Sequence, residues 1–339
     1  MLRIGIIAPP FERVPPPKYG GTERIVSLLT EGLVERGHDV TLFATGDAIT
    51  NAKLKYLYKT PMRDFDPDID ERQVEFAFAH TADFDLIHDH TYLGAAVPYF
   101  YKHKLPIVTT LHNLPIDDWL PNLYRKNKLY PLISISNKQK EYYLGANFIS
   151  NVYNGIDLDT FPLNLDKHDY MLHLGAITER KGSHIAIEVA LKSRKRLILA
   201  GKVDDHDRDW FQEKIEPHLK NDLIEYVGEV GGQTRIDLFR NARALLFPSV
   251  WDEPFGLVLI EAMACGTPVI AFRKGSIPEV VSDRETGYIV DTLDEMCQAV
   301  NAIDAIDPLI CRNHVEVNFS KDTMIDGYER VYSELLKGQ

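Results

Sequence analysis

The feature that most limits how this 339-residue chain can fold is a series of short apolar runs without helical period. They read "RIGIIAP", "DVTLFAT", "DLIHDH", "PIVTTLH" and "PLISIS", then "YMLHLGA", "RLILAG", "IEYVGEV", "ALLFPS", "PVIAF" and "GYIV". Between many of them lie amphipathic stretches; in "GGTERIVSLLTEGLVERGH" the residues Ile25, Leu28, Leu29 and Leu33 fall at helical spacing. Strands that are apolar throughout are covered on both faces, and their alternation with helices specifies buried parallel sheets in an α/β architecture. The series is long enough for two such sheets, and the length exceeds what one hydrophobic core normally supports.

The best boundary is "NGIDLDTFPLNLDKHD" at 154–169, which joins the turn pair Asn154-Gly155 to several Asp residues and Pro162. "TPMRDFDPDID" at 60–70 has the acidic, proline-containing look of an exposed loop, and "DTMIDGYERVYSELLK" reads as a C-terminal helix. In open parallel sheets ligands bind beyond the carboxyl ends of the strands, so function belongs in the loops that follow them.

Charge and cysteine content narrow the classes. A formal net charge of −12 disfavours non-specific nucleic-acid binding, which depends on Lys and Arg neutralising phosphates. Lys53, Lys55, Lys59 and Arg63 form a local basic run, best read as a solvated face, with peripheral membrane contact as the lesser reading. Cys265, Cys297 and Cys311 have no C-x-x-C spacing and are expected to be packing residues in a reducing compartment. The N-terminal apolar run is strand-sized, and no segment approaches the ~18 apolar residues that span a bilayer. The expected location is cytoplasmic, at most peripheral to a membrane.

Four loops could carry chemistry. "PPPKYGGTERIV" sets Gly20 and Gly21 directly before a helix with Thr22 as N-cap, so that amides and the positive helix end face a ligand. It is neither a dinucleotide fingerprint nor a P-loop. A glycine pair that only turns the chain is the plain alternative. "LGAITERKGSHIAIEVA" puts Arg180 and Lys181 just before Gly182 and a helix from about Ser183, where two cations could hold a diphosphate or simply decorate the surface. His88, His90 and His112 close two strands; no carboxylate or cysteine set completes a metal site, and a neutral hydrogen-bonding His112 is the better reading.

The fourth is "ALLFPSVWDEPFGLVLIEAMACGTPVIAF", read as strand, loop, helix, turn and strand. Gly256 leaves the helix start open to a ligand, Leu257 and Glu261 are i and i+4, and Glu253 stays in the loop. A ligand with a phosphate at the helix amides and polyols on either flank fits two carboxylates that accept from hydroxyls. The plain alternative pairs Glu261 with a nearby Arg and leaves Glu253 in water.

Taken together, "YGGTERIVSLLTEGLVERGHDVTLFAT", "TLHN", "NGID", "ERKG" and above all "EPFGLVLIEAMACGTPVIAFRKGSIPEVV" resemble the retaining glycosyltransferases of family 4 over nearly the whole chain. The resemblance implies a GT-B fold: two Rossmann-like domains, 1–155 and 156–318, with parallel sheets facing across a deep cleft, and a helix over 319–339 returning to the first domain. It implies transfer from a nucleoside-diphosphate sugar to a sugar, lipid-linked or small-molecule acceptor, with no metal or other cofactor and no nucleic acid. Glu253 would bind donor-sugar hydroxyls, with the amides of Phe255, Gly256 and Leu257 near sugar and diphosphate. Glu261 would accept from the ribose, Lys181 would neutralise the diphosphate, and Gly20 and Gly21 would line the phosphate side. His112 would touch the donor sugar beside the reacting carbon, and the region of Val230 would meet the base. Members commonly carry Arg directly after the strand glycine; here Ala176 follows Gly175, and Arg180 is the nearest substitute.

The competing readings are a sugar-nucleotide epimerase or hydrolase of the same fold and a non-catalytic two-domain ligand-binding protein. Acceptor choice is expected in the loops at 9–18 and 47–75.

Overall fold

Met1–Ile156 with Lys321–Gln339 form one unit and Asp157–Ser320 another, each built on a parallel sheet. The computed structural model describes residues 1–18, 20–62, 65–80, 84–92, 105–115 and 117–337. Arg63, from the basic run, lies outside them.

In unit 1 the strands are β1 (Arg3–Ile7), β2 (Asp39–Phe43), β3 (Lys53–Lys55), β4 (Leu86–Asp89), β5 (Ile107–Leu111), β6 (Leu132–Ser134) and β7 (Phe148–Asn151). Their order is β3-β2-β1-β4-β5-β6-β7. The helices are α1 (Gly21–Glu35), α2 (Pro67–Phe78), α3 (Trp119–Lys126) and α4 (Asn137–Lys140). Ile4, Ile6 and Ile7 of β1 are fully buried, as expected of a central strand with a helix layer on each face.

Unit 2 has β8 (Met171–Leu174), β9 (Leu197–Ala200), β10 (Ile224–Tyr226), β11 (Ala244–Phe247), β12 (Val269–Phe272) and β13 (Gly287–Val290), in the order β10-β9-β8-β11-β12-β13. Its helices are α5 (Ser183–Ser193), α6 (Arg208–Lys214), α7 (Gly232–Asn241), α8 (Leu257–Ala264), α9 (Ile277–Val280), α10 (Leu293–Ala302) and α11 (Pro308–Asn318). Both units are therefore Rossmann-like. In each, the order reverses beside the first strand: between β1 and β4 in unit 1, and between β8 and β11 in unit 2.

The last helix, α12 (Lys321–Lys337), belongs to unit 1 and packs on α1. Gly32 makes the approach possible, since a Cβ there would collide with the side chain of Ile325. Ile325 is fully buried, which is worth about 2 kcal/mol. Beside this contact Arg36 bonds to Asp322, Asp326 and Glu329 at 3.1, 2.6 and 2.5 Å, at the rim where such pairs add little stability but fix register.

Two local expectations are corrected. Helix α1 starts at Gly21 with Gly20 as N-cap, so Thr22 lies inside the first turn and caps nothing. The stretch 60–70 is not loop throughout: Asp66 accepts from the Asp68 amide at 2.9 Å and Pro67 opens α2, a cap followed by proline at the first helical position. The described lysines of the basic run, Lys53, Lys55 and Lys59, are exposed, in keeping with a solvated face, and Lys53 and Lys55 belong to the edge strand β3, where Lys53 pairs with Asp39 at 2.7 Å. None of the described helices is long and apolar enough to cross a membrane.

Candidate active site at the strand reversal of unit 2

The loops after β8 and β11 flank the reversal point of unit 2, and they are bonded to each other. The Arg180 carbonyl accepts from the amides of Val250 and Trp251 at 3.0 and 3.3 Å and from Ser249 Oγ at 3.3 Å. Gly182, the N-cap of α5, has φ of +71°, and a Cβ there would collide with the Pro248 carbonyl oxygen. Only glycine allows both the left-handed backbone and the close approach. Under the junction, His173 of β8 donates from Nδ1 to the Leu246 carbonyl at 3.2 Å and takes the Ser183 hydroxyl on Nε2 at 3.0 Å. Burial holds His173 down at about 4, so it braces α5 as a neutral ring.

This junction brings Lys181 and Glu253 together. Lys181 Nζ donates to Glu253 Oε1, which also receives Ser249 Oγ at 3.3 Å. Glu253 is 7% exposed, so it is not the solvated loop acid of the plain alternative. Its backbone is held as well, its carbonyl accepting from the Ser276 amide at 3.0 Å. Neighbouring Arg180 points its side chain outward and has no ion pair among the described residues. One cation of the loop is thus matched by an acid and the other is free for an anion. Ala176 sits two residues past β8, with no charge to add.

Helix α8 begins at Leu257 behind Gly256, whose φ is +87°. The amides of Gly256 and Leu257 have no acceptor among the described residues, as the first turn of a helix requires. Phe255 is buried, its ring edge-on to Phe319 at 5.8 Å and its carbonyl bonded to Ser276 Oγ at 2.8 Å, which anchors the helix mouth. One turn in, Glu261 is fully buried. Its Oε2 pairs with Arg235 of α7, while its Oε1 has no partner among the described residues. Arg235 also lies over the ring of Phe239, 5.3 Å from its centroid. Glu261 is thus paired with an arginine, as the plain alternative has it, though the spacing of Glu253 and Glu261 did not say which: Arg235 is 26 residues upstream of its partner. Val230 is half-buried in the loop that leads from β10 to α7.

In unit 1, Gly20 and Gly21 stand at the start of α1, after β1, and the histidines stand at the ends of β4 and β5. His88 is fully buried, with Nδ1 on Tyr332 OH and Nε2 on Thr110 Oγ1, both at 2.7 Å. His90 lies on the same face, its ring centroid 4.0 Å from that of His88. Its Nδ1 meets His112 Nε2 at 2.8 Å. Burial pushes all three imidazoles toward the neutral form, His88 and His90 well below their usual range and His112 to about 3. Asp89, between them in sequence, faces the other way and takes Thr91 Oγ1 at 2.9 Å and Thr109 Oγ1 at 3.2 Å; burial lifts it to about 7.

Among the described residues, the one group with metal-ligand spacing is Asp204, His206 and Asp207 near the surface, and His206 already pairs with Asp207 at 3.2 Å. It lies away from the junction in sequence, with His206 exposed and Asp204 and Asp207 half-buried. The cysteines are free thiols, with Cys265 and Cys311 buried and pushed up to about 12 by that burial.

The profile described as Glycosyl transferases group 1 matches residues 156–306, and that of Glycosyltransferase Family 4 matches residues 19–160. The N-acetyl-alpha-D-glucosaminyl L-malate synthase of Bacillus anthracis is 24% identical over 95% of this chain and 96% of its own. A phosphatidyl-myo-inositol mannosyltransferase of Mycobacterium tuberculosis is 25% identical over 90% of this chain and 86% of its own. Among solved structures, a glycosyltransferase involved in avilamycin A biosynthesis superposes with a TM-score of 0.76 at 25% identity, over 100% of this chain and 99% of that one.

Proposed function

The chain belongs to the family 4 glycosyltransferases, an enzyme of GT-B fold, and we propose that it transfers a sugar from a nucleoside-diphosphate sugar to a hydroxyl acceptor with retention of configuration and without a metal. The observation that carries this reading is the junction at the unit 2 reversal point, where Lys181, Glu253 and the open amides of α8 converge on adjoining loops. Ligands of parallel sheets bind at such points.

A diphosphate suits this junction because positive charge is present but partly masked. Lys181 is matched by Glu253 before a ligand arrives, so the charge carried to the developing phosphate comes from Lys181, unpaired Arg180 and the helix amides together. These groups stand in for a divalent cation. Arg180 takes over the diphosphate contact for which Ala176 lacks a side chain. Glu253 and Glu261 serve hydroxyls of the transferred sugar and the ribose; Oε1 of Glu261, buried and without a partner among the described residues, is the clearest acceptor in the set. The amide of Phe255 completes the helix mouth, Val230 faces the base, Gly20 and Gly21 line the phosphate side, and His112 contacts the transferred sugar.

In the chemical step the bond from the anomeric carbon to the diphosphate oxygen breaks and a bond to the acceptor oxygen forms on the same face. The acceptor proton passes to the departing phosphate oxygen. Glu253 is assigned to hydroxyl binding and not as a nucleophile; Lys181 and Ser249 hold its Oε1 and leave Oε2 for the sugar. The two curated relatives differ in the acceptor their names state, so the acceptor is assigned only as a hydroxyl, on a sugar, a lipid-linked molecule or a small molecule.

A thermal-shift panel with UDP, GDP, dTDP and ADP and their common sugars tests the donor class, because a ligand of the native state raises apparent stability. No shift with any of them would overturn the reading. For the donor that binds, the anomer of the product, read by NMR, tests retention. Full activity in EDTA is expected, and turnover of donor with no acceptor would instead identify an epimerase or hydrolase.

A further inference from the structure

His90 and His112 share one hydrogen bond, Nδ1 to Nε2 at 2.8 Å, and a bond between two neutral imidazoles contains a single proton. Its two possible arrangements differ in what they leave at the far side of each ring. If His112 Nε2–H were the donor, His90 would carry its own proton on Nε2. That atom is buried and has no partner among the described residues, and a buried N–H without an acceptor is among the rarest features of folded proteins. If His90 Nδ1–H is the donor, its Nε2 is a bare lone pair, which is the cheaper group to leave unpaired.

The described surroundings of His90 offer nothing to reverse that preference. The ring of His88 lies against it at 4.0 Å, and both nitrogens of His88 are engaged by Tyr332 and Thr110. The Tyr328 ring is 6.4 Å away, edge-on, and the Asp89 carboxylate is turned to Thr91 and Thr109. Among the described residues, neither a carboxylate nor a carbonyl reaches His90 Nε2.

We infer that His90 is a positioning residue which fixes His112 as the Nδ1–H tautomer, so that His112 meets its ligand as a hydrogen-bond donor and never as a base. The lone pair on His112 Nε2 is consumed by His90, and Nδ1–H is the only function left to offer. Resting on the transferase reading above, the atom it meets is an oxygen acceptor of the sugar, a hydroxyl or ring oxygen. An imidazole held this way orients that sugar and carries no proton during transfer.

The tautomer can be read without substrate. In protein labelled with 15N-histidine, long-range nitrogen–proton correlations, assigned by the signals lost in His112→Asn, should show His112 protonated on Nδ1 alone at neutral pH. Protonation on Nε2, a mixture of tautomers, or a doubly protonated ring would overturn the inference. His90→Asn keeps an N–H near the position of Nδ1 and should keep both the His112 tautomer and most activity. His90→Leu should release a tautomer mixture and lower kcat/KM on the order of tenfold, the worth of one oriented hydrogen bond. Equal activity and an unchanged spectrum in His90→Leu would also refute it. If no donor supports turnover while His112 remains the Nδ1–H form, the transferase reading fails and the tautomer assignment stands.

Discussion

The two units place their candidate residues at the same topological position and equip it in opposite ways. At the reversal point of unit 2 stand two ion pairs, Lys181 with Glu253 and Arg235 with Glu261. At that of unit 1 stand three imidazoles kept neutral by burial and a carboxyl lifted to about 7. Burying a charge is expensive unless it is matched, so a site for an anion must keep its cations and compensate them locally. A site that meets only hydroxyls has no such need and can be built from neutral donors. On the transferase reading proposed above, the charge that a diphosphate needs is supplied by the cations of unit 2, and the histidines of unit 1 meet a hydroxyl without adding charge.

The largest expected effect tests the compensation. Arg235→Ala leaves Glu261 buried with neither oxygen paired and should destabilise unit 2 by about 3–5 kcal/mol in urea unfolding. The double variant Arg235→Met with Glu261→Leu should regain most of that stability while binding donor poorly. If Arg235→Ala unfolded at the wild-type midpoint, the charged description of unit 2 would be wrong at Glu261.

Next is Lys181→Ala, which should lower kcat by on the order of 10²–10³, about 3–4 kcal/mol, as loss of one preorganised donor to a developing oxyanion does. Glu253→Ala should abolish transfer, and the effects of the two together should fall well short of their sum because each removes the other's partner. Additive losses would mean that the pair does not work as one element.

A pH series probes unit 1. The folded Asp89 carboxyl holds its proton up to about 7 against an ordinary 3.8. The folded state therefore binds more protons than the unfolded one between those values, and the stability linked to Asp89 is present at low pH and lost as pH rises toward 7. Asp89→Asn has no such loss, so its stability relative to wild type should improve between pH 4 and pH 8 by about 1–4 kcal/mol. Parallel stability curves would show that Asp89 is ionised in the folded chain. The smallest effect belongs to Tyr332→Phe, which takes one hydrogen bond from His88 and should cost about 1–2 kcal/mol, seen as a modest fall in Tm.

Most of the sheet architecture was legible because buried parallel strands must be apolar at every position. The runs in "RIGIIAP" and "RLILAG" became β1 and β9, fully buried at Ile4, Ile6, Leu197 and Leu199. The strands that escaped notice, β3 and β7, are sheet edges paired on one side only, and "KLK" and "FISN" have the polar residues such edges carry. The site was legible where chemistry and chain proximity coincide, as in Arg180 and Lys181 before Gly182. Arg235 and the His90–His112 bond were not, because each is a contact between separate elements, and nothing in the local spacing of α7 or β4 selects the partner. The helix start at Pro67 was missed for a different reason: "DPD" suits an exposed turn as well as a cap, and only the following helix tells them apart.

Helix α12 also bears on the order in which the molecule can be completed. A ribosome releases all of residues 157–320, a continuous stretch sufficient for the whole of unit 2, before it reaches the segment that covers Gly32 and bonds to His88. Until Tyr332 emerges, the Nδ1 atom at the end of β4 lacks its hydroxyl and the groove on α1 is open to water. The unit that begins first is therefore finished last, and the neutral histidine cluster acquires its final burial only after the charged site has had time to form.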